Sequence, residues 1–228
     1  MSTENNYVDV RLFYSKTGSA KYISHLDTMR AFQRAFRRCR DLDFWYTEGF
    51  NPHLYLTFAL PLSLGYESGA ETVDFRLASH VPYREVVEKL NAVLPAGFKA
   101  YKAAKPVMNA KVIRFADYNI SFTADGIDPE AVLAEWYRCF TRESVTVKKV
   151  TKRGAEDVDL KAGEKIKLSK LKQFENRFCF KARLVSGVEF NINPNLVLQA
   201  FKEFCEIEPQ DVEIKRVAVY NGKMEEFC

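Results

Sequence analysis

The sequence predicts an α+β fold made of two tandem ferredoxin-like units, each with the element order β-α-β-β-α-β. Segments with alternating apolar residues, typical of half-buried strands, flank segments with the apolar spacing of helices. This order occurs twice along the 228 residues. A polar stretch at Pro106–Lys111 separates the halves, so we expect one unit over residues 1–108 and the other over residues 109–228. A single mixed α+β domain is the alternative.

The first unit opens with a strand and a helix that carries its own start signals. The helix is predicted over Ser24–Cys39, with Ser24 as N-cap and Asp27 three residues later. Its apolar face is predicted from residues at spacings of three and four: Leu26, Met29, Phe32, Phe36 and Cys39. A second helix is predicted over Pro82–Leu94, with proline at its start and Gly97 after its end. The strands are predicted over Tyr7–Ser15, Leu54–Pro61, Thr72–Leu77 and Phe98–Ala104.

The second unit repeats this order and adds a basic insert. Helices are predicted over Asp128–Phe140 and Asn195–Cys205, and strands over Arg114–Thr123, Val145–Val150, Arg177–Val185 and Val212–Val219. The insert at 148–172 holds nine Lys or Arg against four Asp or Glu, so it is locally basic. It is either a hairpin arm or a solvated loop.

The composition limits the class of protein. Residues of apolar type make up 47% of the chain and the net charge is +4, which permits a nucleic-acid partner without requiring one. No apolar run is long enough to cross a membrane. The five cysteines stand singly, so zinc ribbons and iron–sulfur clusters held by this chain are excluded, and we expect a cytoplasmic protein without a cofactor or metal.

Two features of the first unit are candidates for binding. Arg30, Arg34, Arg37 and Arg38 form a helix row with no acid from Arg30 to Arg40, which favours contacts with phosphate or another anion. The alternative is a plain solvent-facing surface, or pairing with acids elsewhere in the fold. The loop Thr47–His53 should be rigid and should present Asn51 and His53 to the same ligand. Exposed sheet aromatics would stack bases if the ligand is RNA. The insert adds three further candidates for anion contacts: Lys149, Lys152 and Arg153.

Catalytic groups are scarce. His25 and His53 are weak candidates for a general base, because His25 and Asp27 are two residues apart and do not face each other on a helix. A metal site of both histidines with Glu48 or Glu67 matches no ligand spacing that proteins use for zinc.

Four segments carry a resemblance to a known family. They are Phe13 with Lys16 and Gly18, Ser24–Asp27 followed by Arg30 and Arg34, Gly49–His53, and Leu60–Ser68. These segments, with Val158–Leu160 in the insert, resemble the sequence motifs of the uncharacterised radical-SAM-linked protein family. This chain has Leu54 at the position after His53 where a second proline is common in that family. Members of that family are encoded beside, or fused to, a radical S-adenosylmethionine protein. The resemblance therefore implies a radical SAM protein as partner.

We expect from these features a non-catalytic accessory module that binds RNA or another anionic substrate for a radical SAM partner. Two alternatives remain. One is a metal-independent endoribonuclease-like enzyme that uses His25 or His53. The other is a protein–protein adaptor whose arginine face meets an acidic surface without nucleic acid.

Overall fold

The computed structural model describes residues 6–151, 154–187 and 190–228. Over these residues the chain has a mixed α/β fold with antiparallel sheets and four α-helices. It divides into two compact units, the first ending at Ala110 and including Cys228, the second comprising Lys111–Phe227. None of the helices in the described ranges combines the length and the apolar character that crossing a bilayer requires.

The first unit contains one sheet and two helices. Its strands are β1 (Val8–Lys16), β2 (Leu56–Phe58), β3 (Glu67–Leu77) and β4 (Phe98–Ala104), and its helices are α1 (His25–Arg38) and α2 (Tyr83–Asn91). The sheet order is β4-β1-β3-β2, and every neighbouring pair is antiparallel. β2 is shorter than predicted because Leu54 forms its bridge with Tyr46 instead of with β3.

Helix α1 covers one face of this sheet. It buries Phe32, Ala35 and Phe36 completely, in a core with the inward-facing residues of β1 and β3: Val10, Leu12, Tyr14, Val73, Phe75 and Leu77. The prediction that Leu26 belongs to the buried face is wrong, since its side chain is 55% exposed. Two successive steps of three residues separate Leu26 from Phe32, and each step drifts by about 60° around a helix with 3.6 residues per turn.

The opposite face of the sheet carries crossed ion pairs. Val8–Leu12 and Val73–Leu77 both read Val-Asp-x-Arg-Leu, and the antiparallel register sets each arginine opposite the aspartate of the other strand. Arg11 Nε and Nη2 each lie 2.7 Å from an Asp74 carboxylate oxygen, and Arg76 Nε lies 2.9 Å from Asp9 Oδ1. The Arg11 side chain is 1% exposed and also donates to the carbonyls of Met108 (2.8 Å) and Cys228 (2.5 Å).

The second unit has a sheet and a separate hairpin. Its strands are β5 (Ile113–Thr123), β6 (Thr146–Thr151), β7 (Gly154–Asp159), β8 (Ile166–Leu168), β9 (Lys172–Phe174), β10 (Arg177–Val185) and β11 (Gln210–Asn221), and its helices are α3 (Pro129–Phe140) and α4 (Pro194–Cys205). The sheet order is β11-β5-β10-β8, antiparallel throughout, and β9 also pairs with β10. Asp128 occupies the predicted N-cap of α3 without a side-chain cap bond.

The strand predicted over Val145–Val150 is present as β6, but it does not belong to the main sheet of the second unit. The predicted element order places it beside β10, a position that β8 and β9 occupy instead. β6 pairs with β7, where Val147 faces Val158, both buried, and Lys149 faces Glu156. The insert is therefore a hairpin followed by two short sheet strands, which decides between the two expectations for it.

We expect Asp74→Ala to destabilise the first unit by about 3 kcal/mol, because Arg11 would keep a buried charge without its carboxylate. Urea unfolding at neutral pH measures the loss. The matched control is Glu88→Ala, which removes the exposed partner of Arg84 on α2 and should cost less than about 0.5 kcal/mol. Equal losses in the two variants would contradict the importance of the buried pair.

Candidate functional site

The N-terminus of α1 lies at the end of the first unit where β1 and β2 finish. The His25 ring meets the Phe58 ring edge-on, with 5.6 Å between centroids. Lys16 is the last residue of β1 and is opposite Ser68 in the register with β3. Three of the four segments that carry the family resemblance therefore converge here, and Gly49–His53 does not. We call the group Lys16, Gly18, His25, Gly65 and Glu67 the motif junction.

Hydrogen bonds connect the segments at the motif junction. The buried Lys16 ammonium donates to the Ile23 carbonyl over 2.6 Å, directly before α1. The Gly18 amide donates to Glu67 Oε1 over 2.8 Å. The Gly65 amide donates to the Lys21 carbonyl over 2.8 Å. These residues hold the start of α1 against the approach to β3, so their first role is to fix the helix in place.

A close backbone approach supports the same junction from α2 and β4. The Thr17 amide donates to the Gly97 carbonyl over 2.9 Å. Gly97 adopts φ 84°, and a Cβ there would meet the Ala20 Cβ at 2.6 Å. Any larger residue at this position would therefore collide with the segment Thr17–Ala20, which follows β1, and displace it.

The predicted cap of α1 is confirmed. Ser24 Oγ accepts from the Asp27 amide over 3.1 Å, and the Ser24 hydroxyl donates to Asp27 Oδ2 over 2.7 Å. Arg30 Nη1 lies 3.1 Å from Asp27 Oδ1. The Ser24 hydroxyl first, and then the Arg30 guanidinium, lower the pKa of Asp27, so this carboxylate stays ionised at the helix N-terminus, where negative charge is favoured.

His25 has a lowered pKa. Burial lowers the pKa of His25 below the ordinary value of a histidine, Glu71 opposes this shift, and Lys16 adds to it. A neutral imidazole beside a buried ammonium and a buried carboxylate has the protonation state that a general base requires. The neighbouring Thr28 hydroxyl is buried and has no hydrogen-bond partner within the described residues. His25 thus keeps its standing as a candidate base.

The arginine row lies on the side of α1 away from the core. Arg30, Arg34 and Arg37 are about 140–160° from the buried Phe32 around the helix axis, and all three are exposed. Arg30 pairs with Asp27 one turn earlier, and Arg38 donates to the Val93 carbonyl over 2.9 Å. Arg30 therefore has an acid partner that lies outside the run Arg30–Arg40. Arg34 and Arg37 make no ion pair or side-chain hydrogen bond with the residues that the structure describes.

The loop Thr47–His53 is closed at its base. The Thr47 amide donates to the His53 carbonyl over 2.9 Å, and the His53 amide donates to Thr47 Oγ1 over 3.0 Å. Thr47 Oγ1 also lies 2.9 Å from His53 Nδ1, which leaves Nε2 as the ring nitrogen for a ligand. Gly49 has φ 119°, as the sequence predicts. Asn51 and His53 are both exposed.

Phe50 at the tip of this loop was missed from the sequence. Its side chain is 102% exposed, the largest value among the exposed apolar side chains of the described residues. The signal was present, because Phe50 follows a glycine with left-handed φ and precedes Asn51 and Pro52, which leaves it no strand or helix to pack against. An exposed phenylalanine on a closed loop offers a flat apolar surface to a ligand.

Three rings beneath the loop are occupied by the protein itself. The Arg76 guanidinium lies 3.7, 4.2 and 4.9 Å from the ring centroids of Tyr7, Tyr55 and Trp45. Arg76 is also paired with Asp9. The expectation that sheet aromatics stack bases is therefore not met by these rings, whose faces hold an internal cation.

His25 and His53 lie at opposite ends of β2. His25 contacts Phe58 at the end of the strand, whereas His53 precedes its first residue. The five residue steps from His53 to Phe58 span about 16 Å at the rise of a β-strand. The two histidines thus serve no common reaction or metal. Within the described ranges, no three His, Cys, Asp or Glu side chains cluster closely enough to hold a metal ion.

The insert contributes less cationic surface than its count of lysines predicts. Lys149 Nζ lies 3.4 Å from Glu156 Oε1 and 4.6 Å from the Phe190 centroid, so it is held by internal partners. Lys152 and Arg153 lie outside the described residues. The sequence predicts that Lys149 contacts an anion. In the structure its ammonium is already paired with Glu156.

We expect His25 to make the stability of the chain depend on pH below about 6.5. The folded pKa is lower than the unfolded one, so at falling pH the unfolded chain binds a proton that the folded chain does not, and the free energy of unfolding decreases. Well above pH 6.5, from about pH 7.5, the unfolded state is also mostly neutral at His25 and this contribution is constant. Urea unfolding of wild type and His25→Gln between pH 7.5 and about 5.5 measures it. The variant should lose less stability than wild type over that range, and parallel curves would refute the assignment.

Comparison with known proteins identifies a family and a similarity to solved structures. A search of the curated proteins finds no match. The solved "Crystal Structure of a Cbf5-Nop10-Gar1 Complex" includes a chain with a TM-score of 0.49 and 7% identity. The match covers 92% of this protein and 48% of that chain, so the present chain spans about half of its length.

The family model covers most of the sequence. It matches residues 10–194, which include most of β1, the motif junction, the arginine row, the loop Thr47–His53 and the insert. The chain belongs to the family described as "Uncharacterized protein conserved in bacteria (DUF2344)".

Proposed function

We propose that this protein is a non-catalytic accessory module that binds RNA through its phosphates and serves a radical SAM partner. The observation that carries the proposal is the pair of exposed guanidiniums, Arg34 and Arg37, neither of which forms an ion pair with an acid among the described residues. A helix normally balances such a row with acids at i,i+4, which here it does not. Two unpaired guanidiniums one turn apart suit the repeated anionic groups of a nucleic-acid backbone.

The loop Thr47–His53 supplies the groups that phosphate contacts alone lack. α1 ends at Arg38 and β2 begins at Leu56, so the helix C-terminus and the loop belong to the same end of the first unit. Phe50 can stack on an unpaired base, as aromatic side chains do in single-stranded RNA complexes. The Asn51 amide and His53 Nε2 are hydrogen-bonding groups for a base edge or a ribose hydroxyl.

The proposal includes a finer description of the fold. We take each unit as ferredoxin-like, over residues 1–108 and 109–228. The order β4-β1-β3-β2 in the first unit supports this, since it is the order expected when two β-α-β crossovers interleave. In the second unit β11-β5-β10 has the same arrangement, and β8 substitutes for the fourth strand.

Different observations support the proposed partner and the proposed cellular compartment. The resemblance of Ser24–Asp27, Gly49–His53 and Leu60–Ser68 to the radical-SAM-linked family supports a radical SAM protein as partner. The five cysteines are free thiols, which agrees with a reducing cytoplasm. The chain would contribute binding, and the partner would contribute the radical chemistry.

We expect Arg34→Ala with Arg37→Ala to weaken the binding of a mixed-sequence single-stranded RNA and to flatten its salt dependence. Loss of two phosphate contacts should reduce the slope of log affinity against log salt by about 1.4. The matched control, Arg84→Ala with Lys105→Ala, removes two exposed cations elsewhere on the first unit and should leave the slope unchanged. Filter binding over a series of salt concentrations measures both.

The same experiment separates the alternatives. If RNA is not bound even at low salt, the proposal fails. Co-purification with the radical SAM protein that is lost in Arg30→Glu with Arg34→Glu would then support the adaptor. Cleavage of the labelled RNA that is lost in His25→Ala or His53→Ala would instead support the endoribonuclease-like enzyme, for which the neutral His25 is the favouring observation.

We expect Phe50→Ala to cost about 1–3 kcal/mol of RNA affinity without changing the salt slope, because stacking involves no counterion release. Phe174→Ala is the control, since Phe174 is 60% exposed on β9 of the second unit and has no place in the proposed site. Fluorescence anisotropy of labelled RNA measures both variants. A change in slope, or an equal loss in the control, would count against base stacking at Phe50.

A further inference from the structure

The second unit contains a cavity that the arginine row and the loop do not involve. Its volume is about 460 Å³, and it lies between α3 and the chain that includes β8. Such a volume falls within the range of sites for small molecules, about 300–1,000 Å³. The lining residues are Leu133, Trp136, Tyr137, Phe140, Thr141, Lys161, Ile166, Leu168, Ser169, Lys170 and Leu171.

The walls of the cavity are apolar and well supported. Helix α3 contributes one wall, in which Leu133, Trp136, Tyr137 and Phe140 recur at helical spacing on one side. Trp136 is 4% exposed, and its ring centroid lies 4.4 Å from that of Phe180 and 4.5 Å from that of Phe140, so this wall is fixed by the core. Ile166, Leu168 and Leu171 form the facing wall.

The polar groups of the cavity are cationic or neutral. Its lining contains two lysines and no carboxylate. Lys161 Nζ donates to the Phe140 carbonyl over 3.0 Å and so completes the C-terminus of α3. Lys170 is exposed, and its ammonium makes no hydrogen bond or ion pair with the residues placed in the structure. The cavity therefore combines an apolar interior with one available positive charge at its edge.

We propose that this cavity binds an amphipathic monoanion, a small molecule with an acyl or ring body and a single carboxylate-type head. The apolar body would lie between α3 and β8, and the head would pair with Lys170 at the rim. A neutral apolar ligand would leave the ammonium unused, and a polyanion would find one free cation and apolar walls. The proposal is independent of RNA binding, which concerns residues of the first unit.

Trp136 allows a direct test of occupancy. The chain has two tryptophans, so Trp45→Phe leaves Trp136 in the cavity wall as the single indole reporter. Dodecanoate, dodecanol and dodecyltrimethylammonium, each below its micellar concentration, compare one apolar body with three heads. We expect dodecanoate to change the Trp136 emission saturably and to bind about tenfold more tightly than the other two. Absence of a saturable change, or equal binding of the three probes, would overturn the proposal.

Two charge variants locate the head group. Lys170→Glu should weaken dodecanoate binding about tenfold or more. Lys167→Glu is the matched control, because Lys167 lies between Ile166 and Leu168 on β8 and its exposed side chain points to the other side of the strand. We expect less than about a twofold effect there. Equal weakening by both variants would mean that only net charge matters, and the assignment of Lys170 would fall.

Discussion

The first unit depends on one buried guanidinium. Arg11 lies in the middle of the sheet and is satisfied by the Asp74 carboxylate and two main-chain carbonyls, so it can be buried only in this register. A shift of one residue between β1 and β3 would separate the pair and turn Val10 and Leu12 away from α1. The ion pair and the apolar core therefore select the same register from opposite faces of the sheet.

The position of the binding surface follows from that register. With Leu12 and Phe75 facing α1, the helix must bury Phe32 and Phe36 against them, which directs Arg34 and Arg37 to solvent. The motif junction then fixes where along the sheet the helix begins. The residues of the junction thus fix the orientation of the arginines, whereas the proposed contacts with a ligand are made by α1 and the loop. His25, half-buried in the junction and neutral, belongs to the supporting part of this arrangement.

Features that depend on neighbouring residues were predictable from the sequence, whereas pairings between residues far apart in the chain were not. The Ser24 cap, the left-handed Gly49 and the bounds of Phe98–Ala104 and Arg177–Val185 depend on neighbouring residues or on alternation. The place of β6 depends on whether β7 or β10 is the better partner, which its own residues do not encode. Likewise the acid that pairs with Lys149 is across a hairpin. The repeated Val-Asp-x-Arg-Leu of β1 and β3 was a usable signal, because antiparallel pairing of two such strands matches every charge.

The net charge of +4 is a poor guide to what the chain binds, because several of its cations are already paired with carboxylates within the fold. Arg11, Arg76, Arg177 and Arg183 each have a carboxylate partner within the fold, and Lys149 has Glu156. A ligand site is instead indicated by a cation without a carboxylate partner that lies beside groups suited to the rest of the ligand. In the first unit two adjacent guanidiniums accompany an exposed ring, which matches a chain of phosphates with bases. In the second unit the Lys170 ammonium lies at the edge of a partly open cavity with largely apolar walls, where desolvation of the ligand body should dominate and salt should matter less. The two surfaces therefore differ in the valence of the anion that they suit, although both are cationic.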